Sequence, residues 1–215
     1  MSLTKRDKEI IADLNKFRVA DRDSIAELHF AGLKNPRYSA NNVLLRLLRD
    51  GHIQRSTAFT PYVYFGPDVN IKKNSAKIGH FLAILDVYKE LRQLGALESF
   101  LVEPKFGSKK DGYAEPDIYC LFRNTPFFIE VQKTIYSAKQ MHQKLERYQR
   151  LYHSDLFEHF PHVLILSEQR YALDHQYPFR VFQAETFTQF VNSLRSKQPQ
   201  QKAQASSGGI KIRLG

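Results

Sequence analysis

The sequence lacks the features of several common protein classes. Its 215 residues include a single cysteine, Cys120, so no disulfide can form within the chain. It has no tryptophan, and its apolar stretches, such as residues 81–85, are shorter than the roughly 20 residues of a membrane span. The first residues contain no apolar run of signal-peptide length. We therefore expect a cytoplasmic protein with no membrane partner and no disulfide scaffold.

Acidic residues are also scarce. The 22 Asp and Glu stand against 32 Lys and Arg, which gives a formal net charge of +10. The excess is +3 over residues 1–70, +3 over residues 71–195 and +4 over residues 196–215. Nucleic acid is a natural partner for such a chain, although a soluble protein with a basic tail would carry the same charge. Hydrophobic residues make up 42% of the chain, enough for one large domain or two small ones.

Apolar spacing in the first 68 residues predicts three helices and a hairpin. Lys5–Phe17 has the spacing of an amphipathic helix. Either Asp21 or Asp23 is expected to cap the second helix, and Ser39 the third. Two short β-like runs follow, at His52–Ala58 and Tyr62–Phe65.

This order is typical of a winged helix, and the segment SANNVLLRLLRDGHIQR resembles the recognition helix and first wing strand of bacterial winged-helix domains. In that interpretation the third helix enters the DNA major groove, where Arg suits guanine and Asn suits adenine. The alternative is a solvated helix face or a protein contact. The residues expected to face DNA are Asn41, Asn42, Arg46, Arg49 and Arg55.

A polar, turn-rich stretch at residues 67–76 predicts a domain boundary. Beyond it the pattern predicts a second domain over residues 77–195 and a flexible basic tail over residues 196–215. The overall class is therefore α/β (α+β), with domains at residues 1–68 and 77–195. The predicted elements are a helix at 77–94, strands at 99–105, 117–122 and 126–134, a helix at 136–152, a strand from His162 and a helix at 186–194.

Two carboxylates lie on neighbouring strands of the second domain. Asp117 opens one strand, and Glu130 lies in the apolar run FFIEVQ of the next, on the same face as Gln132. A carboxylate is expensive to bury without a partner. Either a Lys or Arg at a strand end or a Mg²⁺ ion shared with Asp117 would offset that cost, and Mg²⁺ can activate water beside a phosphodiester.

The order of these elements resembles the core of the PD-(D/E)xK nuclease superfamily. Pro116-Asp117 matches its first motif and Glu130 its second, while Gln132 stands in the lysine position. The resemblance implies that Lys144, on the following helix, could supply the missing lysine. Glu90 and Glu103 are further carboxylates that could complete a site, and His80 could touch it. The candidate catalytic residues are Asp117, Glu130, Gln132 and Lys144, and the candidate Mg²⁺ ligands are Asp117, Glu130 and Glu103.

A wider resemblance joins both domains. A winged helix followed by IGHFLAILDVY, AEPDIYCLF and FFIEVQKTIYSAKQMHQKLERYQRLY is similar to the replication-relaxation family of plasmids and other mobile elements. The sequence departs from that family at Gln132, where Asp is common, and at Thr134, which comes one residue early. The resemblance implies binding to double-stranded DNA during replication or mobilisation, with a relaxase or replication initiator as partner. A homodimer is also compatible with a winged helix.

The loop KFGSKKDG before Asp117 is a further candidate contact with DNA. Lys109 and Lys110 lie in this loop and would attract phosphates, although a solvated turn would have the same composition. Two functions remain open at this point. One is a DNA-binding protein with a non-catalytic nuclease-like domain, and the other is a metal-dependent DNA nuclease or nickase using Asp117 and Glu130.

Overall fold

A computed structural model describes residues 2–173 and 176–196 of the chain. Within them the protein is a mixed α/β structure with six α-helices and two β-sheets. The predicted basic tail lies outside the described residues from position 197 onward. No helix among the described residues combines the length and apolar character needed to cross a membrane.

Two of the three N-terminal helices begin at a side-chain cap. Helix α1 (Lys5–Phe17) starts at Thr4, whose side chain forms a capping box with Asp7. Helix α2 (Arg22–Phe30) is capped by Asp21, one of the two residues predicted for that role. The predicted cap of the third helix was wrong, because α3 spans Pro36–Arg49 and Ser39 lies inside it. Proline suits a first helical position, since its ring fixes φ and the missing N–H would have no partner there.

A small antiparallel sheet closes the N-terminal part. Its strands are β1 (Ala20–Asp21), β2 (Gln54–Ser56) and β3 (Val63–Phe65), in the order β1-β3-β2. The hairpin of β2 and β3 follows the predicted β-like runs in shortened form. Strand β1 was not predicted, because two residues are too few to show a period-two pattern.

The larger sheet has five strands in the order β4-β5-β6-β7-β8. The first three are antiparallel neighbours, whereas β6, β7 and β8 run parallel. Strand β8 was missed in the sequence, where its four residues show no clear alternation. The strands are β4 (Leu97–Val102), β5 (Ile118–Phe122), β6 (Thr125–Val131), β7 (His162–Leu166) and β8 (Val181–Ala184).

Helices cover both faces of this sheet. They are α4 (Lys77–Leu94), α5 (Ala138–Tyr152) and α6 (Phe187–Ser196). Alternate residues of β6 point to opposite faces: Ile129 belongs to the core that contains α4 and α6, and Phe128 to the core that contains α5. The α5 side of the sheet is therefore a separate, aromatic-rich layer, and Glu130 shares that face with Phe128.

The N-terminal part packs against α4 without a break in the core. Phe17 of α1 lies 4.8 Å from Tyr88 of α4 between ring centroids, and Tyr88 lies 5.0 Å from Phe100 of β4. Lys89 also donates a hydrogen bond to Ser24 of α2 at 3.1 Å. One continuous apolar cluster thus includes residues from both sides of the predicted boundary at residues 67–76.

A buried ion pair joins α1 to α3. The Asp7 side chain is 1% exposed, and its Oδ1 lies 2.6 Å from Nη2 of Arg46. Burial alone would raise the pKa of Asp7, but the hydrogen bonds from Arg46 and Thr4 bring it below its ordinary value. Arg46 was predicted to face DNA. Its guanidinium instead turns inward, because a buried carboxylate needs a charged donor.

We predict that Arg46→Ala lowers the free energy of unfolding by about 2 kcal/mol at neutral pH, because it strands the Asp7 carboxylate. The pKa of Asp7 is lowered in the folded state, so its contribution exists above the ordinary carboxyl pKa and disappears as pH falls through the lowered value. The difference in free energy of unfolding between the parent and the variant should therefore become smaller at acidic pH. Urea unfolding across a pH series measures it.

The matched control is Arg49→Ala, since Arg49 is 72% exposed on the same helix and forms an ion pair with the adjacent Asp50. This variant should leave the free energy of unfolding almost unchanged. Equal losses in the two variants would contradict a structural role specific to Arg46.

Candidate functional site

Three acidic residues lie in one row across the ends of β4, β5 and β6. Ile118 pairs with Ile129, and continuing this register by one residue sets Asp117 opposite Glu130. The Glu103 N–H donates to the Asp117 carbonyl at 2.8 Å, which continues the row to β4. Residues directly opposite each other in a sheet share a face, so strand pairing alone brings Asp117 next to Glu130.

Glu130 is the most deeply buried acidic side chain of this row, at 2% exposure. The Tyr148 hydroxyl donates to Oε1 at 2.6 Å, and the Lys144 ammonium lies 2.5 Å from Oε2. Lys144 and Tyr148 are one helical turn apart on α5, so they reach the same carboxylate. The contact at Oε2 is an ion pair rather than a well-angled hydrogen bond, and Oε2 has no other partner among the described residues.

The electrostatics of Glu130 differ from those of an ordinary surface carboxylate. Burial, followed by the charge of Asp117, raises the pKa of Glu130 to about 7, although Lys144 and Tyr148 oppose the rise. Burial would lower the pKa of Lys144, but the charges of Glu130 and Asp117 raise it overall. The lysine therefore stays cationic at neutral pH.

Asp117 is held by groups from two directions. Nε2 of His80, in the first turn of α4, lies 3.1 Å from Oδ1, and the Val131 N–H donates to Oδ2 at 2.8 Å. Burial would raise the pKa of Asp117, but the His80 hydrogen bond, the charges of His80 and Lys144 and the Val131 N–H lower it overall. The Asp117 hydrogen bond is also the main cause that raises the pKa of His80. Each carboxylate of the adjacent pair therefore has its own basic neighbour, His80 at Asp117 and Lys144 at Glu130.

The side chains of the other predicted members have partners outside the Asp117–Glu130 pair. The Gln132 amide donates to the Thr134 carbonyl at 2.7 Å. The Glu103 side chain is 39% exposed and lies 4.0 Å from Arg18, although its charge still contributes to the raised pKa of His80. Glu90 does not complete the site, because it accepts hydrogen bonds from the backbone and side chain of Thr188 at the start of α6.

Two contributors to the site carry little signal in the sequence. The Val131 N–H is a backbone donor, which no residue pattern reveals. The helical pattern assigns Tyr148 only to the apolar face of α5. Its hydroxyl bond to Glu130 depends on the packing of α5 against β6.

Some of the side chains predicted to face DNA are exposed, and others are half-buried or contact other residues of the protein. Asn42 and Arg49 are exposed on α3, on the face that also exposes Tyr38 and Leu45. Asn41 is half-buried. The Arg55 guanidinium lies 4.8 Å from the ring centroid of Tyr62, the residue before β3. Lys109 and Lys110 are exposed in a short 3₁₀ turn at Lys109–Asp111.

Comparisons with protein families, curated proteins and solved structures found no match to this chain. The chemistry of the site must therefore be judged from its own residues.

The donor set suits a hard divalent cation. Within residues 2–173 and 176–196, no group of three or more His, Cys, Asp and Glu side chains is arranged to hold a metal ion. Mg²⁺, however, commonly uses only one or two protein carboxylates and takes its other ligands from water and phosphate. Asp117 and Glu130 supply two such carboxylates, and the Lys144 ammonium at Oε2 shows that this oxygen accepts a cation.

We predict that Lys144→Ala destabilises the metal-free protein more at about pH 8 than at about pH 5. The pKa of Glu130, about 7 against an ordinary 4.5, means that the folded state holds a proton that the unfolded state releases in this interval, so stability falls as pH rises through it. Removing Lys144 raises that pKa further and extends the fall. We expect a deficit of about 2 kcal/mol at the higher pH.

Chemical unfolding in EDTA at several pH values measures this deficit. Lys139→Ala is the matched control, because Lys139 is exposed on the same helix. A deficit that does not change with pH would show that Lys144 acts through packing rather than through the charge of Glu130.

Proposed function

We propose that this protein binds double-stranded DNA and hydrolyses phosphodiester bonds of that DNA in a Mg²⁺-dependent reaction, as an endonuclease or nickase. The observation that carries the proposal is the contact of Lys144 with the buried Glu130, on the strand next to Asp117. Two carboxylates can hold Mg²⁺, and a lysine can stabilise negative charge on a phosphate, so this set of groups suits hydrolysis of a phosphodiester. We place this activity in the cytoplasm, in the replication or mobilisation of a plasmid or another mobile element.

The order of elements supports the proposal. Helix α4, the antiparallel strands β4, β5 and β6, helix α5 and the parallel strand β7 follow the order of the PD-(D/E)xK nuclease core. In this interpretation Asp117 and Glu130 are the two acidic positions. Gln132 stands at the lysine position of the motif, and Lys144 on α5 supplies the lysine instead. The three N-terminal helices and the β2–β3 hairpin then form a winged helix.

Each residue of the site has a distinct role in this proposal. Mg²⁺ held by Asp117 and Glu130 would supply Lewis-acid activation of water and phosphate. The hydrogen bond from His80 keeps Asp117 ionised, and Tyr148 fixes the orientation of Glu130. Lys144 neutralises charge on the phosphate and orients the attacking water, and its flexible four-carbon stem allows the ammonium to leave Oε2 for that purpose.

A second function is favoured by a different observation. The oxygens of both carboxylates already face a cation or a donor within the protein: His80 and the Val131 N–H at Asp117, and Tyr148 and Lys144 at Glu130. Groups of the protein itself thus compensate part of the carboxylate charge without a metal ion. The second candidate is therefore a DNA-binding protein whose nuclease-like domain is non-catalytic and contacts a relaxase, a replication initiator or a second copy of the chain.

We predict that the purified protein nicks supercoiled plasmid in Mg²⁺ or Mn²⁺, and that Glu130→Gln lowers the rate by at least about 100-fold. Glutamine keeps the size of the side chain and can still accept the Tyr148 hydrogen bond, so the fold should persist. Gel separation of supercoiled and open-circular plasmid over time measures the rate, and EDTA should abolish it.

The control is Glu158→Gln, because Glu158 is exposed and lies outside the site. Equal nicking by the parent and Glu130→Gln would identify the activity as a contaminant. Duplex binding by the parent without any nicking would favour the non-catalytic candidate.

We predict that Asn42→Ala and Arg49→Ala weaken binding to duplex DNA, because both residues are exposed on one face of α3. Loss of one phosphate contact at Arg49 should lower the slope of log affinity against log salt by about 1. Fluorescence anisotropy in EDTA measures the affinity, with Lys5→Ala at the 92%-exposed Lys5 of α1 as control. Unchanged affinity in both α3 variants would remove this helix as a DNA contact.

A further inference from the structure

Helix α5 has an outer face that the catalytic proposal does not use. Its inner face buries Met141, Leu145, Tyr148 and Leu151 against the sheet. The opposite side exposes Lys139, Gln143, Arg147 and Arg150. The first three recur at four-residue intervals, so they form one row along the helix.

The loop at residues 108–112 extends this row. The Arg150 Nε–H donates to the Gly112 carbonyl at 3.0 Å, which fixes the loop against the C-terminal part of α5. Gly112 adopts a left-handed conformation with φ of 61°, and the exposed Lys109 and Lys110 lie in the 3₁₀ turn just before it. The lysines of the loop and the cations of the helix therefore form one surface.

The acidic residues on these two segments are engaged within the protein. Asp111 accepts hydrogen bonds from the backbone N–H and the hydroxyl of Ser108, at 2.7 and 2.9 Å. Glu146 lies 3.2 Å from Nε2 of His142 on the same helix. Neither of these contacts involves a cation of the outer row. Both carboxylates keep their charge, but they are outnumbered by the exposed cations Lys109, Lys110, Lys139, Arg147 and Arg150, so the surface is positive overall.

The length of the row indicates that its ligand is a charged polymer rather than a small anion. Lys139 and Arg150 are separated by 11 residues of helix, or about 16 Å along its axis. A single phosphate would contact one end of such a row, whereas a nucleic-acid backbone carries charges along its whole length. Lys144 projects from the same helix toward Glu130. A backbone lying along the outer row would therefore be held against the helix that carries Lys144, on the side turned away from Glu130.

We propose that the outer face of α5, extended by Lys109 and Lys110, is a second DNA-binding surface that holds the phosphate backbone of duplex DNA on the side of α5 turned away from Glu130. This inference rests on the proposed binding of duplex DNA. It adds the location of the surface by which the C-terminal part holds that DNA. The contacts are to phosphates, so they contribute affinity and salt dependence but read no sequence.

The test is the double variant Lys139→Ala/Arg147→Ala in the full chain, measured by anisotropy on one labelled DNA duplex in EDTA over a salt series. Both side chains are exposed, and circular dichroism verifies the fold. We expect about tenfold weaker binding at low salt and a salt slope lower by about 2. The matched control, Lys5→Ala/Lys8→Ala on α1, removes the same formal charge from another exposed surface and should retain the parent slope.

The outcomes separate this inference from the function on which it rests. If the parent fails to bind duplex DNA, the proposed function itself is wrong. If the parent binds, Arg49→Ala weakens it and Lys139→Ala/Arg147→Ala keeps the parent affinity and slope, only the second surface is overturned. If the two double variants lose affinity and salt slope equally, the effect is one of net charge, and the second surface is also overturned. Tighter parent binding to a duplex RNA than to duplex DNA would overturn the assignment to DNA.

Discussion

The burial of the Glu130 carboxylate is the constraint on which the C-terminal site depends. A carboxylate with 2% exposure in an aromatic layer is costly unless charge and hydrogen bonds compensate it. Lys144 and Tyr148 provide that compensation from one turn of α5, which fixes the rotation of this helix over β6. The outer face of the helix is set by the same rotation. Acidic site and basic surface are thus two consequences of one interaction.

The same physical rule operates at two other places. Asp117 is kept ionised by His80 and a backbone N–H, and Asp7 by Arg46 and the Thr4 cap. In each case burial favours the neutral acid, and a nearby donor reverses the preference. Glu130 differs because burial prevails over its partners and raises its pKa to about 7. It is therefore the carboxylate whose charge is most sensitive to a bound cation.

Sequence periodicity predicted the long elements well. Helices α1 and α4 have the predicted bounds, because each carries a sustained apolar stripe, and α4 also ends at Gly95. Elements without such signals were misjudged. Strands β1 and β8 were missed, and α3 begins at Pro36 rather than after Ser39. A short strand is selected by its neighbours in the sheet, and its own residues say little about it.

The sequence by itself determined which groups are available: two carboxylates on adjacent strands, a lysine on the next helix and an excess of positive charge. Strand alternation also set the face of Glu130. Only the tertiary structure decided how these groups pair. It joined His80 to Asp117 and Lys144 to Glu130, and it paired Arg46 with Asp7. It also brought the Glu90 carboxylate of α4 to the Thr188 N–H at the start of α6. Local patterns fix the direction of a side chain from its own element, whereas a partner from another element depends on how the elements pack.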